Sequence, residues 1–89
     1  MDPGVLAAVR LLPRHMKEVE ELALTNEDFR GLCRDLADAE QALQRHARAG
    51  LPSSAARYAE YRHLIDGLES ELRQIIRERR ARSEDDRHE

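Results

Sequence analysis

Eighty-nine residues allow one small domain, and a chain that short buries only about 60% of the surface its unfolded form exposes. Leu and Ala dominate the apolar content, the aromatic residues are Phe29, Tyr58 and Tyr61, charged residues make up 37% of the chain and the formal net charge is −3. This composition is helical, and its interspersed signs argue against a protein built to coat nucleic acid or an anionic membrane.

Arginine outnumbers lysine fourteen to one, Lys17 being the single lysine. Bidentate anion recognition uses such a bias; a GC-rich genome produces it with no function at all, which is the preferred reading. The lone cysteine forms no internal disulfide, and the N-terminus shows no charged n-region followed by an apolar h-region. No apolar run approaches the ~18 residues of a membrane span. A soluble, reducing, cytoplasmic setting without membrane partners is therefore expected.

From Val5 the apolar residues Val5, Val9, Leu12, Met16, Val19 and Ala23 alternate four and three apart, with Leu6 and Leu22 widening the stripe, which predicts a helix over 3–24. Pro13 interrupts it, so a kink there, or a short irregular piece followed by a helix, is expected. "TNED" reads as the next helix start. Thr25 as N-cap with Asp28 three residues on makes a capping box, and Leu24 against Phe29 makes a hydrophobic staple. The helix over 26–49 carries Phe29, Leu32, Leu36, Ala39, Leu43 and His46 at seam spacing, flanked by Cys33. Gly50, Leu51 and Pro52 form its stop, a Schellman-type ending followed by proline.

Ser53 or Ser54 is expected to cap the last helix, 54–80, whose seam is Tyr58, Tyr61, Ile65, Leu68, Leu72 and Ile75, with Leu64 and Ile76 alongside. Gly67 costs about 1 kcal/mol inside it and suits close approach of a neighbour. Residues 81–89 read as a disordered tail. The short connection makes the two long helices an antiparallel hairpin in which facing residues sum to about 103, placing Leu43 by Tyr61, Leu36 by Leu68 and Phe29 by Ile75. Residues 1–89 thus read as one all-α domain, an antiparallel, coiled-coil-like hairpin preceded by an N-terminal helix. So wide a stripe needs another partner, and a dimeric helical bundle supplies one.

From Val19 to about Arg77, "VEELALTNEDF" and "YAEYRHLIDGLESELRQII", with Leu32, Leu43 and a Gly-containing turn between them, resemble the YdcH-like family of small bacterial helical hairpins, whose own function is uncharacterised. The resemblance covers some two-thirds of the chain and implies an associating hairpin and no reaction. Leu36 stands where that family has a His, Ala39-Glu40 where it has Leu-Asp, and the second helix lacks its lysines, so roles tied to those residues do not carry over.

Metal or catalytic work would draw on His15, Cys33, His46 and His63, but the hairpin places His46 by Arg57 and His63 by Glu40, offset and pointing apart. Neither a cofactor nor an enzymatic activity is expected, because no nucleophile–base pair emerges from the spacing. The expected function is a self-associating interaction or scaffold module, homodimeric through the seam, with a partner-binding edge at Leu6, Leu12, Met16 and Leu64. Two alternatives stand beside it: a small regulator contacting nucleic acid through the arginines of Arg73–Arg82, which Glu69, Glu71 and Glu78 interleave, and a thiol sensor using Cys33.

Overall fold

A computed structural model describes residues 2–49 and 52–86. All the elements are helices, and no strand occurs among the described residues: α1 (Pro3–Leu11), a 3₁₀ turn (Pro13–His15), α2 (Met16–Thr25), α3 (Glu27–Ala49) and α4 (Pro52–Asp86). Asp2 caps α1, its Oδ2 accepting from the amides of Gly4 at 3.0 Å and Val5 at 3.3 Å, while Pro3 fills a position whose amide needs no partner. Pro13 disfavours helical geometry for the residue before it. Leu12 accordingly leaves the helix at φ −126°, ψ 62°, and the chain restarts rather than bending through.

Asn26, not Thr25, begins α3. Its Oδ1 accepts from the Phe29 amide at 3.0 Å, while its own amide donates to the Leu22 carbonyl at 2.8 Å, so one residue ends α2 and starts α3. Thr25 belongs to α2, where its hydroxyl donates to the Glu21 carbonyl at 2.9 Å. The capping box with Asp28 is therefore not formed, and Leu24 is 81% exposed instead of stapling Phe29. Arg30 Nη1 closes the corner by donating to the Ala23 carbonyl at 3.2 Å, one of the carbonyls a helix end leaves unpaired.

The last helix also departs from expectation at both ends. It starts at Pro52, so Ser53 and Ser54 lie inside it rather than capping it, and it continues to Asp86, through most of the expected tail. An apolar stripe is needed to bury a helix but not to form one, and Glu78, Ala81 and the neighbouring arginines are good helix formers. The Gly50–Leu51 stop and positions 87–89 of the tail lie outside the described residues.

α3 and α4 form the antiparallel hairpin, with Leu32 beside Ile75 at one end and Arg45 beside Tyr61 at the other. Along α4 the buried residues are Ile65, Leu68, Leu72 and Ile76. Ile75 is half-buried and Tyr58 is 41% exposed, so the seam narrows to its second half and slides by one residue, as a stripe on a 3.6-residue helix drifts from a strict heptad. α1 and α2 pack in cis over the hairpin and complete one core, in which Val5, Leu12, Val19 and Leu22 join Phe29, Cys33 and Leu36. The molecule measures 59 × 23 × 21 Å, close to the ~50 Å rise of α4 itself.

Gly4 is the point of closest approach. A Cβ there would lie 2.9 Å from the Cys33 carbonyl carbon and 3.0 Å from the Arg34 nitrogen, both backbone atoms that cannot swing aside. Gly4→Ala is therefore expected to destabilise the fold by about 1–3 kcal/mol despite the better helix propensity of alanine. Urea unfolding measures it, and an unchanged midpoint would show that α1 does not rest on the α3 backbone.

Candidate interaction surface

Two faces of α3 meet different surroundings. One carries Cys33, Ala37 and Glu40 and is occupied by α1: Gly4 touches the backbone at Cys33 and Arg34, and Arg10 Nη2 reaches Glu40 Oε2 at 3.4 Å. The other carries Asp35, Asp38, Ala39, Ala42 and Arg45, which line an open groove with Tyr61, Leu64 and Leu68 of α4. The groove continues past Glu71 to Leu32 and Ile75. The buried Ala39 and Ala42 form its floor, and its α4 wall presents Leu64, 48% exposed, and Tyr61, whose ring stacks on His46 with centroids 5.3 Å apart. One turn beyond, Tyr58 is exposed as well.

The residues expected to form a partner-binding edge do not share a surface. Leu12 is 1% exposed and belongs to the core, because the break before Pro13 turns it inward between α1 and α2. Leu6 stands in the depression between α1 and α3, Met16 opens α2, and Leu64 lies in the hairpin groove. Of the expected seam, Phe29, Leu36, Ile65, Leu68 and Leu72 are buried, whereas Leu32, Tyr61 and Ile75 are half-buried along the groove and Leu43 is half-buried against the core. The sequence reading passed over the charged groove residues Asp38 and Arg45. Their signal was the small pair Ala39 and Ala42 at helical spacing between opposite charges.

The arginines of α4 are largely engaged within the protein. Arg79 donates to Glu21 Oε2, and Arg80 donates to Glu18 Oε1 at 2.9 Å, so two of them tie α4 to α2. Arg73 lies 3.7 Å from Glu69, and Arg77 donates to Gln74 at 2.8 Å. The hydrogen bond from Arg80 holds the Glu18 carboxyl below its ordinary value, against the opposing effect of burial, with His15 adding to the depression. His15 Nδ1 stands 3.3 Å from Glu18 Oε2 and 3.2 Å from Arg80 Nη2. Protonated, it donates to the carboxylate; unprotonated, it accepts from the guanidinium. Such exposed pairs contribute ~0–1 kcal/mol each and serve chiefly to orient α2.

Cys33 is fully buried beneath α1, and burial, reinforced by the Asp2 carboxylate, pushes its thiol up to about 11. At neutral pH it is a protonated core residue, the opposite of what an attacking thiol needs. His63 is exposed, His46 half-buried against Tyr61 and His15 bound into the α2–α4 corner. Among the described residues no three of His, Cys, Asp and Glu converge to hold a metal ion, and no helix is long and apolar enough to cross a membrane. The chain matches no protein-family model, no curated protein and no solved structure.

Proposed function

We propose that this chain is a non-enzymatic interaction module that associates with itself, dimerisation being favoured, and that the open α3–α4 groove is its contact surface. The observation that carries this reading is the asymmetry of α3: α1 and α2 fill the side of Cys33, while the side of Ala42 faces a groove from which Leu64 projects half-exposed. A stripe of exposed apolar residues flanked by charge is the usual form of a helix-packing surface. The residue-level resemblance to YdcH-like hairpins supports the same reading, as an architecture that associates. A bacterial, cytoplasmic setting belongs to the proposal too. The engagement of Arg79 and Arg80 by α2 favours this reading over nucleic-acid contact through the same arginines.

Molar mass by light scattering over a hundredfold range of concentration, with Leu64→Asp alongside, tests the proposal. Leu68 is a poor target because it is 7% exposed and its replacement would unfold the core. Leu64→Asp changes a half-exposed side chain and should keep the helicity and melting of the wild type. The wild type is expected to pass from monomer to dimer, and the variant to remain monomeric throughout. A wild type at monomer mass at every concentration, or a variant that associates equally well, would overturn the reading.

A further inference from the structure

On α3 the charges around the groove are sorted by end. Asp35 and Asp38 of α3 and Glu71 of α4 line one end and Arg45 of α3 the other, with Ala42 and Leu64 between them, while the exposed Arg57 and Glu60 of α4 stand seven and four residues before Leu64. Asp38 and Arg45 are seven residues apart on one stripe of α3; Arg57 and Glu71 are each seven residues from Leu64 on one stripe of α4.

Resting on the groove reading above, we propose that the occupant of the groove is a second copy of this chain, laid groove to groove about a two-fold axis that crosses the helices at Ala42 and Leu64. That operation sets α3 antiparallel to its counterpart and α4 antiparallel to its own, giving a four-helix layer pair. Asp38 of each copy then comes over the partner's Arg45, and Arg57 over the partner's Glu71, so both oppositions join unlike charges. Leu64 packs near its own symmetry mate, and Tyr61 falls beside the partner's Leu68. Glu60, one turn before Leu64 on the same stripe, falls beside the partner's Gly67, an exposed position with open space around it, and keeps its water.

The other two-fold arrangement of the same faces, with the axis along the helices, lays α3 on the partner's α4 with like ends matched. Asp35 and Asp38 would then meet Glu71, while Arg45 would stand between Arg57 and Glu60. The like charges at the acidic end disfavour that packing, so the charge order bears on direction as well as partner.

Charge reversal in the full chain separates this proposal from the broader one. Asp38 and Arg45 are both exposed, and circular dichroism confirms that each variant is folded. Asp38→Arg and Arg45→Asp are each expected to weaken dimerisation about tenfold or more, since each change acts twice in a symmetric dimer, and the double reversal in one chain should recover to within about threefold of the wild type. Leu64→Cys is expected to form a disulfide dimer on mild oxidation faster than Met16→Cys, with Cys33 silent in both because it is buried. If Leu64→Asp dissociates the dimer but the double reversal stays as weak as the singles, the groove reading stands and the two-fold register falls. If the wild type remains monomeric alone, the groove does not bind a second copy and both fall.

Discussion

Phe29→Ala is expected to remove about 3–5 kcal/mol of stability, the usual cost of truncating a buried aromatic residue, and so most of what a domain of this size holds. Phe29 has no exposed surface and lies in one continuous core with Val5, Leu22, Cys33, Leu72 and Ile76. It reaches that core from the first turn of α3, where its amide is held by Asn26 Oδ1 at 3.0 Å. The cavity would open where α1, α2, α3 and α4 all contribute side chains, so no single helix could move to close it. Leu24→Ala is the internal contrast. Had Leu24 stapled Phe29, its loss would be felt; at 81% exposed it should fall within the ~0.5 kcal/mol typical of surface changes. Chemical denaturation of both variants measures the difference. A Phe29→Ala midpoint shifted by less than about 1 kcal/mol would mean that the N-terminal helices do not share the hairpin's core.

The choice between those two residues shows where sequence reasoning succeeds and where it stops. Thr25 with Asp28 and Asn26 alone are both competent caps, and the capping-box rule rewards the first. What decides is tertiary: capping from Asn26 carries Phe29 inward at the third helical position and lets Arg30 reach back to Ala23. The four-three spacing on α3 announces a buried face without stating how many neighbours bury it. Two do, so Cys33 on the α1 side is buried more completely than Leu32, which borders the groove. Pro13 was legible because its effect is local and steric. The ion pairs from α2 to Arg79 and Arg80 left no trace in the pattern, since contacts across some sixty positions have no period.

Register was half legible for a related reason. Connection length placed His46 by Arg57, whereas its ring stacks on Tyr61, one turn further along α4. Helical side chains lean toward their own N-terminus. In an antiparallel pair the two leanings converge, so the residues that touch lie later in the sequence than those whose backbones stand level. The correction matters to the groove, because it makes Leu64 rather than Tyr61 the side chain opposite Ala42 at the centre.

Between pH 9 and 11 the wild type is expected to lose about 2 kcal/mol of stability that a Cys33→Ala variant does not lose, with a slope approaching about 1.4 kcal/mol per unit of pH at the middle of the window. The sign follows from the direction of the shift. The folded thiol is held at about 11 against an ordinary value of 9.0, by burial first and the Asp2 carboxylate second. Within this window the unfolded chain has released the proton and the folded chain has kept it. The unfolded state therefore binds fewer protons, and stability falls as pH rises until the folded thiol also ionises. Other groups titrating in the same range are common to both proteins and cancel in the difference. Cys33→Ala leaves a small cavity and starts from a lower stability, so the comparison is of slopes, read by urea unfolding at each pH. Parallel slopes would mean that the thiol reaches solvent in the folded state. That outcome would also lift the cover of α1 from α3, on which the asymmetry of the hairpin and the openness of the opposite groove both depend.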